Sequence, residues 1–388
     1  MTNNKDVVLT KSLLLLIAFS VASTVSNLYY NQPLLPNMGL TMGISDIYLG
    51  YIPAASQLGY AAAILFISPL GDTMNRKVLI GYLSITLTLG LFSIYLAPNF
   101  ITLILATFVV GLSANITQQL IPLVASLSNK EEKGKNIATV MVGLTVGILL
   151  SRTISGSIAQ YFSWESVFLF AAFMAILIGL LLSKILPDNK PSVTLSYGKL
   201  LVSMLQLIKI HPLLRQSAST GFLWFAAFNA LWATLAIHLM GDKFSYTVQE
   251  AGFFGFLGLA GIFGAKLSGK LINKMGANRL ITIALSFILL GFFIMFIFPN
   301  SLWALILGIL LVDLGVFGAQ IPNQHRVFSI DPKAQSRLNA VYMLFYYLGA
   351  ALGSTIGVKI MGYYSWEGLS LFAMVLTFIA ITYHIKAK

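Results

Sequence analysis

Between Leu13 and Ile385 the chain passes through about twelve apolar stretches, each near the roughly 20 residues that a helix needs to cross a bilayer's hydrocarbon core. We read them near 12–34, 46–70, 77–97, 101–126, 136–160, 164–186, 216–240, 250–272, 278–298, 302–327, 336–361 and 365–385. A segment in hydrocarbon has no water for its peptide groups and must bond them internally. Runs of this length do that only as helices, because barrel strands alternate in polarity and take about 9–11 residues. Charged residues make up 9% of the chain, against about 25% in a soluble domain. The fold class is therefore all-α integral membrane, with twelve transmembrane helices.

The formal charge is +12, from 24 Lys and Arg against 12 Asp and Glu. Such a balance suits nucleic acid, but its distribution does not. With the N-terminus in the cytoplasm and sides alternating, every Lys and Arg except Arg152, Lys243 and Lys359 falls at or near the cytoplasmic side. That is the positive-inside pattern, and it puts both termini in the cytoplasm. The basic balance reports topology, with the lipid bilayer as partner and no nucleic acid. The run from Leu13 leads into Asn27-Leu28-Tyr29-Tyr30 without a small-residue cleavage site, which predicts a retained span rather than a signal peptide. Cysteine is absent, which removes disulfides and thiolate metal sites.

The chain repeats itself at an offset of 202: Tyr161-Phe162-Ser163-Trp164-Glu165 matches Tyr363-Tyr364-Ser365-Trp366-Glu367. In the same register Gln118 meets Gln320, Lys135 meets Arg337, Ala138 meets Ala340, Met141 meets Met343, Gly147 meets Gly349, and Thr153-Ile154 meets Thr355-Ile356. Six spans per half is an even number, so both halves start on the same side and form a parallel repeat, with the substrate path expected at their interface near the midplane. The expected organisation is a six-helix bundle over residues 1–186, a linker over 187–215 and a second bundle over 216–388. In the linker, Leu201, Met204, Leu205 and Ile208 fall at helical spacing and predict a short amphipathic helix on the cytoplasmic surface.

Eleven of the twelve acids fall in polar connections or at the ends of apolar segments; Asp313 lies in the middle of one, Ser301–Gly318. A carboxyl there costs about 2.5–3.5 kcal/mol on insertion scales, which makes it a functional-site hypothesis. Arg152, on the fifth span, is the second intramembrane charge. Three readings compete for the two: a static pair that fixes packing, a coupling pair in which protonating Asp313 releases Arg152, or Arg152 binding an anionic substrate or lipid head group by itself. The repeat counterparts of Asp313 and Arg152 are Gly111 and Ser354, so each charge belongs to one half only.

Family motifs follow. After the second span, Ser68-Pro69-Leu70-Gly71-Asp72-Thr73-Met74-Asn75-Arg76-Lys77 resembles the Gly-x-x-x-Asp-Arg-x-Gly-Arg-Arg/Lys motif of the major facilitator superfamily, with Ser68, Thr73 and Asn75 departing from it. A worn copy, Gly269-Lys270-Leu271-Ile272-Asn273-Lys274-Met275-Gly276, follows the eighth span. The resemblance implies that Asp72, Arg76 and Lys77 act as a latch between the halves on the cytoplasmic side. Gly147-Ile148-Leu149-Leu150-Ser151-Arg152-Thr153-Ile154-Ser155-Gly156 is similar to the antiporter motif of the superfamily's drug/proton antiporters, with Arg152 at the proline position. Small residues at this spacing predict close helix contact, and Gly349, Gly353 and Gly357 stand in register with them on the eleventh span, as a two-fold interface would need. The run Asn27 to Pro36, with Asp313 and Asn323-Gln324, resembles a bacterial branch of predicted small-molecule efflux proteins.

In the fold so implied, the first, fourth, seventh and tenth spans line the cavity. The tenth carries Asp313, Phe317, Gln320 and Gln324 on one helix face. The fourth offers Asn115, Gln118 and Gln119, and the first Asn27, Tyr30 and Asn31. Asn229 and Trp232 are neighbours on the seventh, and Tyr342 and Tyr346 on the eleventh. These residues are the expected substrate contacts, although amides at such places also serve simply as glue between helices. The four histidines show no metal-ligand spacing, and Gly71-Asp72-Thr73 lacks the Gly-Lys-Ser/Thr ending of a phosphate loop, so neither a metal nor any other cofactor is expected. No catalytic constellation appears within the spans. The expectation is a monomeric secondary transporter of a bacterial cytoplasmic membrane. It exports a small amphipathic or aromatic-bearing molecule in exchange for protons, with Asp313 and Arg152 as the proton-coupling residues. Uptake symport, uniport and lipid flipping are the alternatives; a flippase predicts a lateral groove beside a head-group site at Arg152.

Overall fold

The computed structural model describes residues 9–129, 131–188, 197–331 and 334–386, which are helical almost throughout and contain no strand. Ten helices among them are long and apolar enough to cross a membrane. Spans 2 to 6 are Asp46–Thr73, Arg76–Tyr95, Phe100–Leu127, Lys133–Tyr161 and Trp164–Ile185. Spans 7 to 10 are Pro212–Met240, Val248–Met275, Ala277–Ile297 and Leu302–Phe328. The helix Gln335–Lys386 is two spans, 11 and 12, divided at Tyr364 and Ser365, where the backbone leaves helical angles and Ser365 takes φ 59°.

Span 1 is interrupted rather than continuous. The helix Lys11–Ser26 gives way to turns over 27–31, a 3₁₀ segment Gln32–Leu34 and a short helix Leu35–Met42. Asn27 causes the change by donating its side-chain amide back to the carbonyls of Ser23 and Thr24, while Pro33 and Pro36 have no N–H to give. Counting this broken segment gives twelve crossings, as the apolar runs predict.

The repeat is visible in the packing. A β-carbon on Gly147 would stand 2.7 Å from Ala22 Cα, and one on Gly349 would stand 2.9 Å from Phe222 Cα. Span 5 thus lies on span 1 as span 11 lies on span 7. The glycine register of span 11 serves its own half, not a contact between halves as the two-fold register suggested. The halves meet instead through Gly50 and Gly252, themselves 202 residues apart. A β-carbon on Gly50 would stand 2.9 Å from Val358 Cβ, and one on Gly252 3.2 Å from Gly156 Cα and 2.6 Å from the Arg152 carbonyl oxygen. Val358 is the repeat counterpart of Gly156, so the two seams are related by the two-fold.

Both seams lie at the end away from the linker. At the linker end the halves part around a cavity of about 520 Å³. The linker helix Tyr197–Ile210 buries Leu200, Met204 and Leu207; of the expected face Met204 is buried, Leu201 and Ile208 are half-buried and Leu205 is exposed. Leu200 and Met204 line the cavity, and the Tyr197 hydroxyl donates to the Phe66 carbonyl at 2.7 Å. The linker therefore borders the mouth of the path.

Candidate functional site

Arg152 sits where spans 1, 5, 7 and 8 converge, and it is 2% exposed. Its Nε donates to Gln32 Oε1 at 2.8 Å, and its guanidinium lies over the Trp232 ring at 3.8 Å and the Tyr29 ring at 5.4 Å. Such a stack is worth about 2 kcal/mol or more when desolvated. Nη2 has no hydrogen-bond partner among the described residues. Asp313, fully buried on span 10, has none for either carboxylate oxygen. The two charges act on each other through space, with Trp232 near both, yet they form no contact ion pair.

Local backbone explains how an acid fits there. Span 8 opens with the helical turn Val248–Phe253 and a 3₁₀ segment, Phe254–Gly258. At three residues per turn, positions i and i+3 eclipse, so Gly255 and Gly258 share one edge. A β-carbon on Gly255 would stand 3.1 Å from Arg152 Cβ, and one on Gly258 3.2 Å from Asp313 Oδ1. In the other half the counterparts are Ser56 and Gly111, and a β-carbon on Gly111 would stand 2.8 Å from Ser56 Cα. The half with the acid has the glycine on the facing helix.

An aromatic layer separates this centre from the cavity. Tyr60 of span 2 meets Tyr347 of span 11 edge-on, with ring centroids 4.5 Å apart. Tyr29 packs in the same cluster as Tyr60, with Tyr347 and Met343 against it. On the C-terminal side, Tyr346 stacks on Phe225 at 3.6 Å. Below the layer the cavity is lined by Gln118, Gln119, Asp72, Arg76, Lys133 and Arg337, among others.

The structure distributes the expected site residues over several places. Arg152, Trp232 and Asp313 come together at the centre. Gln118 donates to the Tyr60 hydroxyl at 2.9 Å, and Gln119 and Asn115 form a chain that ends on Ser68, with bonds of 2.9 and 2.8 Å. Tyr346 belongs to the aromatic layer, while Asn229 donates to its own helix at the Phe225 carbonyl. Gln324 bonds Asn339, a cavity-lining residue of span 11, at 2.8 Å. Gln320 is half-buried on span 10. Tyr342 is enclosed against Gly221. Asn27 caps its helix, and Tyr30 is buried in a core cluster that also takes in Ala233, Val248 and Val358 of the second half. Asn31 is buried, with its carbonyl oxygen unpartnered. Asp72 and Arg76 pair with each other at 2.6 Å instead of bridging the halves, and Lys77 lends its backbone N–H to the Asn75 cap.

Sequence reasoning misses Tyr29, Gln32, Tyr60, Tyr347 and Gly258. The first two escape because periodicity treats 27–34 as regular helix; the tighter 3₁₀ course turns Tyr29 and Gln32 toward Arg152. Tyr347 directly follows Tyr346, and periodicity alone does not choose between them. Asn27 and the two prolines, Pro33 beside Gln32 and Pro36, are the signals of a broken helix.

The family description Major Facilitator Superfamily matches residues 14–330. Over 363 residues the chain is 35% identical to an uncharacterized transporter, YgaY, of Escherichia coli O157:H7, covering 94% of this chain and 92% of that one. It is 30% identical over 355 residues to a probable transporter, SCO4007, of Streptomyces coelicolor, covering 91% and 82%. Among solved structures, the inward-facing, unoccupied form of a bacterial homolog of the human lysosomal transporter Spinster superposes with a TM-score of 0.78 at 15% identity, covering 100% of this chain and 98% of that one. The nucleoside transporter NupG, in a mutant form, gives 0.78 at 13% identity, covering 96% and 99%. With the helical repeat, the glycine seams and the cavity between two six-helix bundles, these likenesses place the chain in the major facilitator superfamily, as a membrane transporter and not an enzyme.

Proposed function

We propose that the protein is a proton-coupled secondary transporter that works by alternating access, with Asp313 as the proton carrier and Arg152 as its partner. The carrying observation is a carboxyl that is fully buried, with the Trp232 indole N–H as the one side-chain donor near it, and set in one half opposite a cation of the other. An ionised pair that straddles the halves attracts span 10 toward span 5 and favours one packing; protonation removes that attraction. The glycine seams supply the second packing, since they join the halves at one end only.

The cargo we propose is a small amphipathic or aromatic-bearing molecule, which suits the layer of Tyr29, Tyr60, Tyr346, Tyr347 and Phe225 above the cavity. Resemblance to an efflux branch supports export. A second direction, uptake together with a proton, is supported by the unspent Nη2 of Arg152. A flippase is less well supported: the apolar groove lined by Leu290, Phe293, Leu371 and Phe378 runs between spans 9 and 12, neither of which carries Arg152. The basic residues of the connections favour a bacterial cytoplasmic membrane with both termini inside.

Reconstitution into liposomes tests the reading. A pH gradient should drive flux in the unaltered protein and fail to drive it in Asp313→Asn, while exchange down a substrate gradient persists. Undiminished pH-driven flux in Asp313→Asn would sink the proposal.

A further inference from the structure

The charge centre has two unlike ends. On the side of the first half, Arg152 Nη2 and Gln32 Nε2 are buried donors without partners among the described residues. On the side of the second, both oxygens of Asp313 and Oδ1 of Asn229 are buried acceptors without a partner at hydrogen-bond geometry, and the Trp232 indole N–H near Asp313 is the donor among them. The charged or titratable groups that act on Asp313 reduce to Arg152 from span 5; span 7 presents the Trp232 indole and span 8 presents Gly258. Those that act on Arg152 are Asp313 and the Tyr29 phenol.

With Asp313 ionised, the two side chains sum to zero charge. With Asp313 protonated, the centre holds the whole charge of Arg152 in a low-dielectric interior, a state that demands a counter-ion. We infer that Arg152 and Gln32 form an anion-binding site, that the cargo is an organic anion with an aromatic or apolar body, and that it binds together with the proton on Asp313. This rests on the reading of Asp313 as proton carrier. The body follows from the walls: Trp232 and Tyr29 flank the guanidinium, and Tyr346, Tyr347 and Phe225 lie beyond. The entrance agrees in sign. Of the charged residues lining the linker-side cavity, Asp72 is already paired with Arg76, which leaves Lys133 and Arg337 to receive an anion.

Charge then dictates the stoichiometry. The empty carrier crosses between its two packings with Arg152 balanced by the Asp313 carboxylate. The loaded carrier crosses with Arg152 balanced by the bound anion and Asp313 neutral. Each crossing is electroneutral, and one proton moves with one anion in the same direction, which selects uptake with the proton, rather than export, of the two directions proposed above. A cationic cargo would compete with the proton for Asp313, would meet Arg152, and would give exchange instead. By reciprocity of linked binding, the two chemistries predict opposite signs of pH dependence.

Two probes with fixed charges and nearly the same ring separate them: benzenesulfonate and benzyltrimethylammonium. Neither titrates, so any pH dependence belongs to the protein. Binding to the purified full-length protein in chloride-free buffer is read by thermal shift and equilibrium dialysis. Benzenesulfonate should bind more tightly as pH falls, by up to about tenfold per unit. Binding should be lost in Arg152→Gln, partly kept in Arg152→Lys, and be strong but pH-independent in Asp313→Asn. Preference for the quaternary ammonium, no sulfonate binding, or sulfonate binding indifferent to Arg152→Gln in a variant that still unfolds cooperatively overturns the anion site. Binding that needs Arg152 but ignores pH in the unaltered protein leaves the anion site standing and overturns co-binding, and with it the proton reading. Ammonium binding that weakens as pH falls and needs Asp313 leaves the proton reading standing and overturns the anion.

Discussion

Asp313 and Gly258 share one space: a β-carbon on Gly258 would stand 3.2 Å from the carboxylate Oδ1. A methyl group there would press on the acid and on Leu149, so overpacking of about 1–3 kcal/mol is expected for Gly258→Ala. Coupled flux should fall and its pH profile should move, because the group that is displaced is the one proposed to titrate. Gly269, which has open space around it, is the control; its alanine variant should keep its flux. Flux against pH in liposomes and unfolding in detergent check both.

Ser157 and Gln249 touch across the halves at the sealed end, Oγ to Nε2 at 3.4 Å. The chain has no cysteine of its own, so Ser157→Cys with Gln249→Cys would form a single bridge on oxidation. Flux should stop in the oxidised protein and return on reduction. The single variants should be insensitive to oxidant.

The Tyr60–Tyr347 layer should act as a barrier between cavity and centre. In a Gln32→Cys background, Tyr347→Ala should speed labelling by an impermeant maleimide applied from the linker side by tenfold or more, on the order of 1.4 kcal/mol of lost closure. Tyr347→Phe should leave labelling nearly unchanged, since the ring and not the hydroxyl fills the gap. Mass spectrometry of the labelled protein gives the rate.

Ser365 holds φ 59° and ψ −168° where span 12 begins, a region that is nearly confined to glycine and costs other residues about 1–3 kcal/mol. Ser365→Gly should therefore stabilise the protein by about 1 kcal/mol, after the entropic disadvantage of glycine is subtracted. A higher midpoint of thermal unfolding in detergent, with flux unchanged, is the expected outcome.

Twelve crossings, the 202-residue repeat and the isolation of Asp313 were all legible in the sequence, because length, hydropathy and identity at a fixed offset do not depend on local geometry. Side-chain direction was legible only where helices stay regular. It failed at Tyr29 and Gln32, where Asn27 and two prolines shift the chain to a 3₁₀ course, and in part at the linker, where Met204 is buried as expected but Leu200 and Leu207 take the places of Leu201 and Ile208. The partnership of Gly258 with Asp313 was beyond reach for another reason. A glycine carries no periodic signal, and its meaning lies in what stands opposite. Asp72 and Arg76 stand four apart, so the pairing within one loop was as open to the motif as a latch between the halves.

The two seams that join the halves, Gly50 against span 11 and Gly252 against span 5, are built to the same plan, yet only the second carries a buried charge next to its glycine; at the first, the half-buried Lys359 donates to the Tyr51 hydroxyl at 2.8 Å. Ser354 stands at the Gly50 seam where Arg152 stands at the other. Duplication thus left two matching hinges on opposite sides of one axis, with a buried charge beside only one of them. A carrier so built need not swing evenly: pH would act on it along one edge, while the other edge keeps the alignment.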